Sequence, residues 1–272
     1  MPPRIDPAFV EKVLVRFIRD EFGRCGCGRG LLGLSGGLDS AVCAALAARA
    51  LGPGNVLALI MPYGRAFPGD VRDAAGLAKR LGLRVETVDI APAVDLYFAS
   101  RPDADRVRRG NKMARERMAI LYDHSARDGG LVLGTSNKTE LLLGYGTIYG
   151  DMACAINPMG DLYKTQVRDL AAHLGVPAAI RRKAPTAGLW PGQTDEGDLG
   201  LAYDEIDEIL FALVEGHRTR REIVEAGHAP AAVDLVLCRV RGSQFKRCLP
   251  PIAKLAMRSV GHDFLYPYDR ER

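Results

Sequence analysis

The sequence predicts an α/β fold: a doubly wound, mostly parallel sheet flanked by helices, with a helical C-terminal tail. Three observations predict it. First, short apolar runs at residues 31–34, 55–61, 83–90 and 130–134 alternate with longer helical patterns, as in a chain of β–α–β units. Second, residues 31–34 and 55–61 are apolar throughout, as buried parallel strands are. Third, a Gly-Gly turn at residues 36–37 joins the first strand to a helix, at the strand end where such sheets bind ligands.

In order along the chain, residues 9–22 predict an amphipathic helix. Val10, Val13 or Leu14, Phe17 and Ile18 form its apolar stripe, Glu11, Lys12, Arg16 and Arg19 lie outside it, and Gly23 ends it. Residues 41–51, rich in Ala and Leu, suit a helix lying close on a sheet. Gly52-Pro53-Gly54 breaks the chain before the second strand, and residues 70–81 form a helix stopped by Gly82. Residues 100–109, with Arg101, Arg106, Arg108 and Arg109, read as a surface loop. The helix expected over residues 111–127 has a basic face with Lys112 and Arg115. Its other face, Met118, Leu121 and Tyr122, is either core or an interface between copies. Residues 203–214, 219–226 and 231–240 supply the helical tail, with no marked boundary within a single domain of residues 1–272.

Composition narrows the function. With 37 basic and 33 acidic residues the net charge is +4, which does not call for nucleic acid as a partner. No apolar run approaches membrane-spanning length and the N-terminus lacks the apolar core of a secretion signal, so a soluble cytoplasmic protein is expected. Cys25-Gly26-Cys27 could be half of a metal site, but no second Cys or His pair completes it. Cys43 and Cys238 are expected to be small buried hydrophobes.

Residues 33–40 admit three readings: a ligand-free turn, a serine elbow of the G-x-S-x-G kind, or a phosphate cradle. About thirty residues precede the loop, too few for the strands that come before such an elbow. Adjacent glycines let backbone N–H groups approach an anion, and the following helix adds positive charge. The spacing is not that of a Walker loop. Ser35-Gly36-Gly37-Leu38-Asp39-Ser40 instead resembles the signature of the N-type ATP pyrophosphatases. Thr135, at the end of the fourth strand, can bond a phosphate or ribose oxygen. Glu140, one turn into the next helix, can meet Asp39 across Mg²⁺.

Further blocks extend the resemblance. Gly134-Thr135-x-Asn137-x-x-Glu140, Tyr149-Gly150-Asp151, Ile156-Asn157-Pro158 and residues 162–167 are similar to those of the NAD synthetases, in the same order. Residues 184–189 and 192–196, Lys246-Arg247 and Pro250-Pro251 complete the likeness. The resemblance implies a Rossmann-like fold of the adenine nucleotide alpha hydrolase type. It implies a ligase that amidates deamido-NAD to NAD with ammonia through an acyl-adenylate, releasing AMP and pyrophosphate. On that resemblance ATP binds Gly33, Leu34, Ser35, Gly36, Gly37, Leu38, Asp39, Ser40, Thr135, Lys164 and Thr186. Asp39 and Glu140 hold Mg²⁺, Asp39 and Lys164 are catalytic, and Arg115, Phe245 and Lys246 contact deamido-NAD. Ile148, Ala155 and Phe245 replace a common lysine, aspartate and histidine, and the block around Ile148 looks like that of glutamine-dependent relatives. A homodimer is implied, with free ammonia or a separate glutaminase protein as nitrogen source. Two alternatives remain: another adenylating amidase, or a nucleotide-binding protein without catalysis.

Overall fold

The computed structural model describes residue 2, residues 4–190 and residues 192–260. The order of elements is α1 (Pro7–Arg24), β1 (Gly30–Gly33), α2 (Leu38–Leu51), β2 (Val56–Ile60), α3 (Pro68–Leu81), β3 (Arg84–Thr87), α4 (Ala91–Phe98), α5 (Arg106–Asp128) and β4 (Leu131–Val132). Then come α6 (Lys138–Leu143), α7 (Lys164–His173), α8 (Ala178–Arg181), α9 (Asp195–Leu199), α10 (Tyr203–Val214), α11 (Arg220–Glu225) and α12 (Pro230–Gly242).

The four strands are parallel in the order β3-β2-β1-β4. The chain leaves β1 on one side for β2 and β3, then returns to pair β4 on the other. The order of strand addition therefore reverses between β1 and β4, which is where open α/β sheets take their ligands. Period-two alternation sorts the strand residues between two layers. Leu32, Val56, Ala58 and Ile60 pack with α1, α2, α3 and α7, while Leu31, Leu57 and Leu59 pack with Val94, Phe98 and Met113 of α4 and α5. Helix α2 is buried along nearly its whole length, because its alanines let both the sheet and α1 approach. The C-terminal helices α9–α12 have their own apolar cluster, seated on α6 and α7 through Leu143 and Tyr163. No helix among the described residues is long and apolar enough to cross a membrane.

Several elements differ from the sequence reading. The predicted loop at residues 100–109 is half helix: Asp105 caps α5 by accepting from Arg108 N at 2.7 Å, so Arg106, Arg108 and Arg109 sit on a helix. Strand β3 is shorter than residues 83–90 and mostly exposed, as an edge strand, and α4 follows it. On α1 the inward residues are Val15, Ile18 and Phe22, while Val13 and Phe17 face outward with Phe9. Leu121 joins the core cluster beneath the sheet and Tyr122 is exposed. Cys43 is buried, as expected, but Cys238 is exposed on α12.

Candidate active site

The loop after β1 is shaped by close approach. Gly36 has φ of +83°, and a Cβ there would stand 2.3 Å from the Asp70 carbonyl oxygen. Only glycine lets the loop lie against α3 in this way. Gly37 caps α2 without any side-chain hydrogen bond, so the first N–H groups of a long helix are left for an anion. Ser35 and Ser40 brace the turn: Gly37 N donates to Ser35 Oγ at 3.2 Å and Ser40 Oγ donates to the Gly37 carbonyl at 3.1 Å. The Ser35 hydroxyl meets Ser40 and no histidine among the described residues, which removes the serine-elbow reading.

A buried lysine ties this loop to the rest of the site. Lys164, 2% exposed, donates from Nζ to Asp39 Oδ2 at 2.6 Å and to Glu140 Oε1 at 3.1 Å. Asn137 holds the same two carboxylates from the other side. Its Nδ2 donates to Asp39 Oδ1 at 2.9 Å, and it forms a reciprocal capping box with Glu140 at the start of α6. Burial would lower the Lys164 ammonium, but the charges of Asp39 and Glu140 overcome it and hold it above its ordinary value. Burial lifts the Glu140 carboxyl, with Lys164 opposing and Asp39 adding to the rise.

The lysine is placed by a second buried network. Its backbone N donates to Thr139 Oγ1 at 3.0 Å, and Thr139 donates in turn to Asp207 Oδ1 at 2.5 Å. The other oxygen of Asp207 accepts from Thr165 N at 2.9 Å. One aspartate of the C-terminal helices thereby fixes the start of α7 against α6. Next to it, Asp195 accepts from Tyr203 OH at 3.0 Å and from Tyr145 OH at 3.1 Å. On the far side Lys183 ion-pairs with Asp70 at 2.7 Å and also with Asp73, tying the segment before Thr186 to α3.

These groups surround one cavity of about 500 Å³. Its wall includes Gly33, Leu34, Ser35, Gly37, Leu38, Asp39, Ser40, Thr135, Glu140, Lys164, Thr186 and Lys246. Gly36 stands just behind the wall, on Asp70. Of the residues expected at the dinucleotide end, Lys246 reaches the cavity and spends two bonds of 2.7 Å on the carbonyls of Gly144 and Gly146. Arg115 is exposed and Phe245 is 62% exposed; neither is part of the wall. The wall also holds Arg117, Asn111, Tyr145, Asp151 and Asp195, which the sequence reading did not single out. Asp151 and Asp195 belong to the Tyr149-Gly150-Asp151 and 192–196 blocks, but nothing in the pattern marks either as facing a cavity.

Asp39 and Glu140 meet on a single ammonium, and both are oxygen donors. Two carboxylates fit a hard divalent cation that takes its other oxygens from phosphates and water. Among the described residues the cavity wall includes no cysteine; Cys43 of α2 is buried outside it, and burial pushes its thiol up to about 12.

The chain is 54% identical over 265 residues to a protein named NH3-dependent NAD+ synthetase from Chlorobaculum parvum, covering 97% of this chain and 96% of that one. Its fold is similar to that of an NMN synthetase from Francisella tularensis, with a TM-score of 0.82 at 35% identity, covering 92% of this chain and 99% of that one. An NH3-dependent NAD synthetase from Campylobacter jejuni gives a TM-score of 0.79 at 35% identity, covering 92% of this chain and all of that one, 100%. Residues 10–250 match the model for NAD synthase, and the chain belongs to that family.

Proposed function

We propose that this chain amidates deamido-NAD to NAD with ammonia and ATP, releasing AMP and pyrophosphate. The observation that carries the proposal is Lys164 held between Asp39 and Glu140 beside an uncapped helix start and a glycine turn. That arrangement suits a triphosphate cut between its α and β phosphates. A carboxylate oxygen of the acid attacks the α-phosphorus, and the bond to the β-phosphate oxygen breaks with its electron pair leaving on pyrophosphate. Ammonia then attacks the acyl carbon, AMP leaves, and the nitrogen gives up one proton.

The residues present mainly position charge. The N–H groups of the loop and of α2 face the phosphates, and Thr135 and Thr186 offer hydroxyls on the wall. Lys164 keeps a positive charge where the leaving group gains negative charge. Mg²⁺, held by Asp39 and Glu140, would draw charge from the leaving pyrophosphate when bound. We take residues 1–272 as one catalytic domain, because Lys164 is placed by Asp207 from the C-terminal helices. A homodimer, implied by the sequence likeness, finds support in the outward apolar residues Phe9, Val13 and Phe17 of α1.

A second acid deserves a place in the assay. The relative from Francisella tularensis is named an NMN synthetase, which points to nicotinate mononucleotide as the acid in the same chemistry. With ATP, Mg²⁺ and ammonium, deamido-NAD is expected to give NAD and AMP with the higher kcat/KM of the two acids. ADP as product would contradict cleavage between the α and β phosphates. A higher kcat/KM on nicotinate mononucleotide would replace the dinucleotide as substrate. Glutamine alone is expected to give no turnover.

A further inference from the structure

Two arginines two residues apart on α5 meet different surroundings. Arg115 is exposed, and its Nε donates to the Ile148 carbonyl at 3.3 Å. Arg117 lies in the cavity wall, and its Nε donates to the Met61 carbonyl at 3.0 Å, just beyond β2. Among the described residues its two terminal nitrogens take no hydrogen bond, and no carboxylate lies within ion-pair distance. A guanidinium cannot give up its proton in a protein, so the charge stays. Burial pushes the Arg117 pKa down, and the charge of Asp151 only partly opposes this. Arg117 is half-buried, so its unbonded terminal nitrogens reach the solvent of the cavity, where an incoming oxyanion can meet them.

We propose that Arg117 binds an oxyanion of the acid substrate, its carboxylate or a phosphate; this rests on the amidation reading above. The tether to Met61 fixes the plane of the guanidinium without neutralising it. The two free nitrogens form a fork that matches a carboxylate or phosphate, and the fixed geometry reduces what is lost on binding. ATP has its own partners in Lys164, the glycine turn and the start of α2. Of the other wall residues, Asp151 is near enough for its charge to act on Arg117, and Asp151 belongs to a group with Thr147 and Asn111. That group is braced: Thr147 Oγ1 donates to Asn111 Oδ1 at 2.8 Å, and Thr147 N donates to Asp151 Oδ1 at 2.8 Å.

The test is calorimetric binding of deamido-NAD, NAD and a non-hydrolysable ATP analogue to wild type, Arg117→Gln and Arg117→Lys, with melting curves to verify folding. Arg117→Gln is expected to weaken deamido-NAD by roughly tenfold to a hundredfold and to leave the ATP analogue unchanged. Arg117→Lys should recover part of the loss. Unchanged binding of NAD, which has the phosphates but not the carboxylate, would assign the oxyanion as the carboxylate. An equal loss for NAD would assign a phosphate. Unchanged deamido-NAD binding in Arg117→Gln, or a loss confined to the ATP analogue, would overturn the proposal while leaving the amidation reading intact. A wild-type protein that binds the ATP analogue but no deamido-NAD would overturn both.

Discussion

Lys164→Met is expected to lose turnover by about a hundredfold to a thousandfold, the cost typical of removing one transition-state donor. The methionine keeps the unbranched shape, one atom shorter, and removes the charge. Asp39 and Glu140 then face each other across a buried site with only Asn137 between them. Removing one member of a buried ion pair destabilises by about 3–5 kcal/mol, so the melting temperature should also fall. Mg²⁺ should restore part of that stability, since a divalent ion replaces the lost positive charge. It should not restore the rate, because in the proposed reaction the lysine also stabilises the leaving group. Steady-state kinetics and melting curves with and without Mg²⁺ measure both effects. A near-normal kcat in Lys164→Met would contradict the role given to the ammonium.

Asp39→Asn should show the opposite balance, a large kinetic loss on an intact fold. The asparagine keeps one oxygen to accept from Lys164 or Asn137 but loses the formal charge. Turnover at saturating Mg²⁺ should drop by roughly a hundredfold to a thousandfold, and half-maximal rate should require more Mg²⁺. Titrating the rate against Mg²⁺ checks this. An unchanged Mg²⁺ dependence would remove Asp39 as a metal ligand.

The parts of the site legible in the sequence are those where one local pattern carries one physical demand. The apolar run of β1, the paired glycines and the alanine-rich α2 announce a buried strand, a tight turn and a closely packed helix, and Gly36 shows why glycine is required there. Asp39 and Glu140 each stand beside a strand end on the same edge, so their meeting follows from the parallel sheet. What stayed hidden depends on contacts between distant segments. Asp207 looks like any carboxylate of an amphipathic helix until α6 and α7 bring Thr139 and Thr165 to it. Arg117 lies in a run of charges, and only the turn of α5 sets it apart from Arg115. The start of α5 is not legible because its polar, arginine-rich first turn resembles a loop, and only the Asp105 cap marks it. On α1 the apolar residues exceed what one face needs, so counting them could not separate Ile18, buried, from Phe17, exposed.

In the proposed reaction the acid is activated as an acyl-adenylate in the cavity between β1 and β4. Deamido-NAD carrying heavy oxygen in its carboxylate tests it most directly. Attack by that carboxylate on the α-phosphorus, followed by expulsion of AMP by ammonia, must leave one labelled oxygen on the AMP phosphate. Mass spectrometry of the products is expected to show singly labelled AMP and unlabelled pyrophosphate. Unlabelled AMP, or label in the pyrophosphate, would contradict it.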